Sequence, residues 1–430
     1  MNCYNFFSVV DERKAMTDLI SVDDALQRIL THMTVLPAED VPIADALGRV
    51  LAEDVVAPED VPPFPNSSMD GYALRAADIA SASPAHPVQL TVVMDIPAGV
   101  TPVRGIGPMQ AARIMTGAPI PEGADAVIPV EQTDDRWVSD GRASLPEKVA
   151  VFRSLEAGDY IRPAGEDIRS GQMILRAGTV LRPQDIGVLV SLGHVSVPAI
   201  RKPRVAILAT GDELVDVGEP LLPGKIRNSN SYVLAGLVSI YGGVSLRMPV
   251  VRDTLDDVRH QFEEALALHP DLIISSAGVS VGTHDVVREV IRELGQLDLW
   301  RVNLRPGKPL AFGQVRGVPF FGLPGNPVSA MVTFDIFVRP ALLIQGGSQP
   351  DTRPLVTAVV GEDIRSDGRR TYLRVKLRRE NGQWVAHTTG TQSSGALLSM
   401  VMADGLLIVP EGMVEVPTGT VLPVRLLRDL

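Results

Sequence analysis

The segment RVAILATGDEL (204–214) decides the fold of the middle of this chain, because a continuous apolar run there is followed by a glycine and two acids. Apolar runs of the same kind recur at VSLRMPV (244–250), DLIISS (271–276), LWRVNL (299–304) and PFFGL (319–323). Amphipathic segments alternate with them near 230–241, 254–268, 283–294 and 327–344. This alternation predicts right-handed crossovers and a mainly parallel sheet with helices on both faces, in an α/β domain over 204–346.

The chain after this domain returns to strand-like segments, at TAVVGEDI, RTYLRVKLRREN, GQWVAHTTG, GLLIVP and TVLPVRLL. The pair Asn381-Gly382 stands between two of them and favours a two-residue hairpin turn. Residues 347–430 are therefore predicted to form a separate small β domain, either a barrel or a sandwich.

The N-terminal side is predicted to hold two further modules. Residues 21–34 carry apolar residues at the spacing of a helical face, with Ser21 suited to the N-cap. The proline-rich run APEDVPPFPN (57–66) then ends one module, and 66–155 form a β-rich one. Because a strand pattern and a short helix at PQDIGVLVSLG follow, the β-rich module is predicted to be inserted into a domain built from 16–65 and 156–203. Residues 1–15 are a tail with no assigned function.

Composition excludes several classes of protein. The net charge of -11 disfavours broad binding to nucleic acid or to an anionic membrane, so an anionic ligand needs a local cationic site. The single cysteine, Cys3, excludes an internal disulfide and a multi-cysteine zinc site. The N-terminus lacks the pattern of a secretory signal, and no segment is judged long and apolar enough to cross a membrane. We expect a cytoplasmic protein.

Acidic residues follow several strands of the predicted parallel sheet. Ligands of such sheets bind beyond the carboxyl ends of the strands, where this sequence places Glu213, Asp253 and Asp285. Asp253 and Asp285 have two interpretations. Each can complement the dipole at the start of a helix, or the two can hold a divalent cation such as Mg²⁺ through oxygen ligands.

Glycine loops and cations occur at the same predicted edge. The loop AGVSVG (277–282) offers backbone N–H groups to an anion through Gly278, Ser280 and Gly282, although such a loop is also an ordinary tight turn. In GLPGNPVSA (322–330), Gly325 permits close backbone approach and Asn326 can cap the following helix. Between these loops, RVNLRPGKP presents cations on a turn stiffened by Pro306 and Pro309. The cations are Arg301, Arg305 and Lys308. An anion site is predicted where these features meet.

Other candidates receive a structural interpretation. His194 and His284 lack the spacing of a metal site, so we expect them to be structural or on the surface. The basic run that contains Arg369, Arg370, Arg374, Lys376, Arg378 and Arg379 is most simply a solvated strand face. Arg374 is set apart by the resemblance described next.

Seven motifs from residue 21 onward resemble those of the MoeA family, which includes the E domains of gephyrin and of plant molybdenum insertases. They are PPFPNSSMDGYAL (62–74), RIMTGAPIPEGADAVIP (113–129), AGEDIRSG (164–171), ATGDEL (209–214), SAGVSVGTHD (276–285), RPGKPLAFG (305–313) and GLPGNPVSA (322–330). The resemblance implies a MogA-like α/β domain, an inserted β-rich module and a C-terminal β-barrel. It also implies an elongated, L-shaped homodimer whose cleft lies between the α/β domain of one subunit and the inserted module of its partner, and an N-terminal helix that can pack on the α/β domain.

The resemblance implies an activity and a set of residues. Adenylylated molybdopterin and molybdate would be the substrates, molybdenum cofactor and AMP the products, with Mg²⁺ assisting. The family's functional acids and threonine fall on Asp70, Thr116, Asp167, Glu213, Asp253 and Asp285. The cationic and molybdate-side positions fall on Arg301, Arg305, Lys308, Pro309, Arg374 and Ser394. The chain departs from the family's usual residues at Ala277, Arg305 and Asn228, which leaves the preference between molybdate and tungstate open.

Two other functions are weighed against this enzyme. A scaffold like gephyrin would use the same dimer to bind receptor segments. This chain, however, has no separate MogA-like domain fused to the MoeA-like part. A stand-alone adenylyltransferase would act one step earlier, but the inserted module and the C-terminal domain argue against it. A MogA-type adenylyltransferase and proteins of molybdoenzyme maturation are possible partners, whereas nucleic acid and membranes are not expected.

Overall fold

The computed structural model describes residues 19–135, 144–276, 286–350 and 354–428. Before residue 204 the elements are α1 (Val22–Leu30), β1 (Ala38–Pro42), β2 (Val55–Val56), β3 (Asn66–Ser67), β4 (Gly71–Leu74), β5 (Val88–Ile96), β6 (Gln110–Ile114), β7 (Ala126–Pro129), β8 (Lys148–Val151), β9 (Ile161–Arg162), β10 (Met173–Leu175), α2 (Pro183–Ser191) and β11 (Ser196–Ile200). The middle of the chain holds β12 (Arg204–Thr210), β13 (Leu214–Val215), β14 (Ile226–Arg227), α3 (Ser229–Ile240), β15 (Val244–Val251), α4 (Leu255–Ala267), β16 (Leu272–Ser276), α5 (Val286–Leu294), β17 (Gly295–Arg301), β18 (Leu304–Arg305), β19 (Pro309–Val315), β20 (Val318–Leu323), α6 (Pro327–Thr333) and α7 (Arg339–Gln345). The last part holds β21 (Leu355–Val360), β22 (Ile364–Arg365), β23 (Arg370–Glu380), β24 (Gln383–Thr388), α8 (Leu398–Met402), β25 (Gly405–Val409), β26 (Glu415–Val416) and β27 (Val421–Leu426).

Helix α1 begins where the sequence predicts, because the Ser21 hydroxyl accepts a hydrogen bond from the Asp24 amide at 3.0 Å. Its apolar face packs on the α/β domain rather than on the segments next to it in the chain. Val22, Ala25 and Ile29 are buried in the same core as residues of the central sheet. Helix α1 therefore joins a fold built mostly from residues far away in sequence.

Two separate stretches of chain form the domain around the inserted module. β1 pairs antiparallel with β11, and β2 pairs antiparallel with β10, so residues before 57 meet residues after 172. The helix α2 starts with Pro183 in its first turn, as predicted. Between these stretches, β7-β4-β6-β5-β8 form a five-stranded sheet, which is the β-rich module in the structure.

The central sheet has the order β15-β12-β16-β20-β19-β17. Its first four strands are parallel, as predicted, and β19 and β17 extend it by antiparallel pairing. The prediction of a single strand at LWRVNL was wrong. That stretch contains the end of β17 and only the first residue of β18, Leu304, and β18 pairs outside this sheet. Strand β19 was not predicted; a turn at Arg316 and Gly317, both with positive φ, connects it to β20.

The helix after GLPGN runs unbroken through α6, a π-helical turn at Phe334–Val338, and α7. This 19-residue helix is long and apolar enough to cross a membrane, so the expectation that no such segment exists was wrong. However, 78% of its most apolar window is buried inside the protein, where it forms the core of the α/β domain. Its burial explains its apolar composition.

The C-terminal strands close into a barrel, because β23-β24-β21-β27-β25 pair in order and β25 pairs again with β23. The predicted barrel is confirmed in preference to a sandwich. Asn381 and Gly382 both have positive φ, 49° and 81°, as the predicted hairpin turn between β23 and β24 requires.

A buried group of charges connects the barrel to the central helix. Asp335 lies in the π-helical turn, 3.4 Å from Arg339 on α7 and 3.1 Å from Arg425 on β27. The side chains of Asp335 and Arg339 are 7% and 1% exposed. Removing one partner of such a group leaves a buried charge without compensation, which costs far more than the loss of a surface ion pair.

We expect Asp335→Ala to lower the free energy of unfolding by about 3–5 kcal/mol, because it removes the buried carboxylate that Arg339 and Arg425 share. The matched control is Asp256→Ala. Asp256 also lies within ion-pair distance of an arginine, Arg259, but is 94% exposed, so its loss should cost less than about 1 kcal/mol. Chemical denaturation of both variants would measure the difference, and equal costs would refute the buried role of Asp335.

Candidate functional site

A cavity of about 370 Å³ lies where the loop after β18, the start of α6 and the barrel meet. Its wall consists of Arg305, Pro306, Gly307, Lys308, Ser329, Arg369, Thr371, Tyr372, Leu373, Arg374, Gln392, Ser393 and Ser394. Four of these residues are cationic and none is acidic. The cavity is therefore a local cationic site in a chain of net charge -11, as the composition required for an anionic ligand.

Two backbone connections bring the walls of the cavity together. The strand β18 leaves the central sheet and pairs in parallel with the start of β23, which sets Arg305 beside Thr371. On the other side, the Val328 amide in the first turn of α6 donates to the Ser394 carbonyl at 3.1 Å. Loop, helix and barrel thus face one space.

Gly307 allows the loop to approach α6. Its φ is +112°, and a Cβ atom there would lie 2.5 Å from the Thr333 hydroxyl oxygen. A side chain would therefore be strained by the backbone and would also clash with the helix. This requirement explains why a glycine separates Pro306 from Lys308 in the motif RPGKP.

Arg374 is the most unusual group in the wall, since it is only 1% exposed. Its guanidinium donates to the Ser399 hydroxyl at 3.0 Å and to the carbonyls of Ser393 and Thr391 at 3.0 and 3.3 Å. Within the part of the chain that the structure describes, no carboxylate neutralises it. Desolvation, followed by the positive charge of Arg305, lowers the pKa of Arg374 to about 10, so it stays cationic at neutral pH. A buried cation without an acid favours binding of an anion.

Arg305 and Arg369 are more accessible than Arg374. Arg369 lies against the wall, where its guanidinium donates to Asp367 and to the Leu304 carbonyl at 3.1 Å. Arg305 is 43% exposed and lies 3.6 Å from the same aspartate. Planar guanidinium groups donate parallel hydrogen bonds to oxyanions, so this wall suits a small anion with several oxygens.

The acids predicted at the edge of the central sheet form a second group. The Asp253 carboxylate has a hydrogen bond with Thr210 at the end of β12, and Glu213 and Asp212 lie near it. Glu213 folds back over Gly211, where a Cβ atom would lie 2.7 Å from its carboxylate. Desolvation, reinforced by repulsion from Glu213 and Asp212, raises the pKa of Asp253.

The oxygen-only chemistry of this edge fits Mg²⁺. However, no three acids, histidines or cysteines in the described residues converge closely enough to hold a metal by themselves. The other predicted ligand, Asp285, lies outside the described residues, as do Gly278, Ser280 and Gly282.

A third group of predicted site residues lies in the inserted module. Asp70 accepts hydrogen bonds from both the amide and the hydroxyl of Thr116, at 2.7 and 2.8 Å. Two predicted site residues that lie 46 positions apart in the sequence are thus in direct contact, and both are exposed. Asp167 is also exposed, on the segment after β9. None of these residues lines the cavity of the same chain.

The structure therefore brings together four predicted residues in the cavity, which are Arg305, Lys308, Arg374 and Ser394. Arg301, Pro309, Gly325 and Asn326 do not line it. Pro309 belongs to β19 instead of the predicted turn, paired with Arg301 across the sheet. Asn326 takes the N-cap position of α6 but makes no side-chain capping bond, contrary to prediction.

The basic run on β23 is not simply a solvated face, as the sequence analysis supposed. Lys376, Arg378 and Arg379 are exposed, but Arg369 lines the cavity and Arg370 forms a bidentate ion pair with Asp23 of α1. The alternation of charged and apolar residues identifies the outward face of the strand. It does not reveal that α1 and the α/β domain cover half of that face.

Several wall residues were not predicted as site residues, namely Ser329, Arg369, Thr371, Gln392 and Ser393. Arg369 had a usable signal in its position next to a turn glycine, Gly368, at the start of a strand. The hydroxyl and amide residues had none, because such side chains are common in any loop.

The raised pKa of Asp253 predicts the direction in which folding stability changes with pH. Because the folded-state pKa lies above the ordinary 3.8, the ionised carboxylate destabilises the fold, and stability falls as pH rises from 3.8 through the folded pKa. Asp253→Asn should therefore keep or raise the melting temperature at pH 7 and weaken this pH dependence. Asp256→Asn is the control, since it removes an exposed acid from the first turn of α4 and should lower stability slightly. A clear fall in melting temperature for Asp253→Asn would contradict the prediction.

Comparisons with known proteins cover the described domains. Three family models match, the MoeA N-terminal region (domain I and II) at 20–193, a probable molybdopterin binding domain at 206–343, and the MoeA C-terminal region (domain IV) at 357–427. The chain is 39% identical to molybdopterin molybdenumtransferase 2 of Mycobacterium tuberculosis, over 89% of this chain and 94% of that protein. It is 35% identical to molybdopterin molybdenumtransferase of Bacillus subtilis, over 95% and 94% of the two chains.

A solved structure gives the same result for the fold. The molybdopterin biosynthesis MoeA protein of Pyrococcus horikoshii superimposes with a TM-score of 0.81 at 32% identity, over 96% of this chain and 100% of that one. The models, relatives and structure cover the inserted module, the α/β domain and the barrel together. The chain therefore belongs to the MoeA family.

Proposed function

We propose that this chain is a molybdopterin molybdenumtransferase, which uses molybdate and adenylylated molybdopterin to form molybdenum cofactor with release of AMP. Relatives at 39% and 35% identity over most of the chain carry that name. The observation that carries the proposal is the buried Arg374 in a cavity with no acidic wall residue. A dianion with tetrahedral oxygens, such as molybdate, matches this chemistry.

The roles of the other groups follow from their chemistry. Arg305, Lys308 and Arg374 bind molybdate, with Ser394 beside them. The start of α6 and the loop at 277–282 receive phosphate groups of the adenylylated pterin, because helix N-termini and glycine loops bind anions. The adenylylated pterin itself would be supplied by a MogA-type adenylyltransferase. We propose that the reaction takes place in the cytoplasm.

Mg²⁺ is proposed at the acidic edge of the central sheet, with Asp253 and Asp285 as ligands and Glu213 nearby. When bound, the cation neutralises charge on the phosphoanhydride that is cleaved to release AMP. The supporting observation is the mutual repulsion of Asp253, Glu213 and Asp212, which a cation would relieve. If the proposal holds, Mg²⁺ raises the melting temperature of the wild type and has less effect on Asp253→Asn.

The inserted module is proposed to act on the partner subunit. Asp70 and Thr116 form an exposed pair but do not line the cavity of their own chain. In a homodimer, this pair would complete the cleft beside the α/β domain of the other subunit, together with Asp167.

The central experiment is an assay of AMP release from adenylylated molybdopterin in the presence of molybdate. Arg305→Ala should raise the half-saturating molybdate concentration strongly while changing the affinity for adenylylated molybdopterin little, because it removes an oxyanion donor. Arg305→Lys should recover much of this loss through charge and alter the discrimination between molybdate and tungstate. An unchanged molybdate dependence would exclude Arg305 from the oxyanion site. Consumption of ATP instead of AMP release would favour an adenylyltransferase.

A dimer is expected under native conditions, since the proposed cleft needs two chains. Light scattering of the purified protein at micromolar concentration should give twice the chain mass of 46.1 kDa. A stable monomer that still released AMP would contradict the shared cleft.

A further inference from the structure

Asp367 places a carboxylate beside the cations of the cavity. It lies in the turn between β22 and β23, and its carboxylate accepts a hydrogen bond from Arg369 Nε at 3.0 Å and a second from Arg369 Nη2. The same oxygen, Oδ2, lies 3.6 Å from Arg305 Nη1. One carboxylate oxygen therefore faces two of the four cations, although Asp367 does not line the cavity itself.

The turn that carries Asp367 is firmly held. The Ser366 amide donates to the Val414 carbonyl and the Gly412 amide to the Gly368 carbonyl, both at 2.8 Å. Arg369 is also fixed, because its third nitrogen donates to the Leu304 carbonyl at 3.1 Å. Asp367 and Arg369 thus form a fixed pair that leaves the carboxylate next to Arg305.

Arg305 is more exposed and less constrained by hydrogen bonds than Arg369 and Arg374. Its side chain is 43% exposed, and within the described ranges its one ion pair is the loose contact with Asp367, beyond hydrogen-bond distance. Arg374, by contrast, is buried and has three hydrogen bonds from its guanidinium. Arg305 already lines the cavity, so hydrogen bonds from its guanidinium to a bound oxyanion would compete with its attraction to Asp367.

We propose that Asp367 competes with an oxyanion in the cavity for the Arg305 guanidinium and so lowers the affinity for that oxyanion. The inference rests on the proposed function, in which the cavity binds molybdate. Asp367 and the dianion compete for the same guanidinium, that of Arg305. Asp367 is a positioning residue, because it acts on the substrate through Arg305.

Removing the carboxylate should therefore tighten binding of the oxyanion. Asp367→Asn keeps an oxygen that can accept from Arg369 but removes the charge. An exposed ion pair has a small net effect, so we expect the dissociation constant for molybdate to fall about two- to fivefold. Asp367→Glu restores the carboxylate and should return the constant toward the wild-type value.

The test is equilibrium dialysis of the purified protein against molybdate, with bound molybdenum measured by mass spectrometry. Glu380→Gln is the matched control, since it removes the same charge from the exposed far end of β23 and should leave the affinity unchanged. Thermal unfolding of each variant would verify that it is folded. In an Arg305→Gln background, Asp367→Asn should have little effect, because the cation that it releases is absent.

The outcomes separate this inference from the proposed function. Wild-type protein that binds no molybdate would overturn both. Wild-type binding with an unchanged or weaker affinity in Asp367→Asn would overturn only the role of Asp367. An equal gain in the Arg305→Gln background would also overturn it, because the gain would then not depend on Arg305.

Discussion

Leu304 and Arg305 pair in parallel with Arg370 and Thr371, and this short β-bridge between the α/β domain and the barrel organises the site. The pairing places Arg305 and Lys308 opposite Arg374 and encloses the cavity between them. The ion pair of Arg370 with Asp23 and the charges around Asp335 connect the domains at the same junction.

Several cationic side chains lie at this junction, and carboxylates of the protein neutralise only some of them. Arg374 has neutral oxygens as its partners, whereas Arg305 and Arg369 share the single carboxylate of Asp367. Burial of an uncompensated cation is unfavourable in the free protein. A bound dianion would relieve that cost, so neutralisation of Arg374 would contribute to the proposed affinity for molybdate. This balance links the stability of the barrel to the proposed binding of molybdate.

Negative charge is concentrated elsewhere, at the ends of the central strands. There the Asp253 carboxylate is repelled by those of Glu213 and Asp212. The separation of cationic cavity and acidic edge suits a substrate with an oxyanion at one end and phosphates that need a metal at the other. Asp70 and Thr116 stand apart from both in the inserted module. They do not line the cavity of their own chain, so the proposed cleft needs the inserted module of a second subunit.

The sequence by itself determined the elements that local patterns encode. Periodicity identified the four parallel strands of the central sheet, the capped helix α1, the proline at the start of α2 and the Asn381-Gly382 turn, because each depends on neighbouring residues alone. The motifs also identified four of the residues that line the cavity. Only the tertiary structure decided that β18 leaves the central sheet, that Asn326 caps without its side chain, that Arg370 pairs with Asp23, and that Arg369 and Asp367 stand beside Arg305. These contacts join residues that are far apart in sequence or belong to different domains, and their energies depend on which surfaces meet, which no local pattern records.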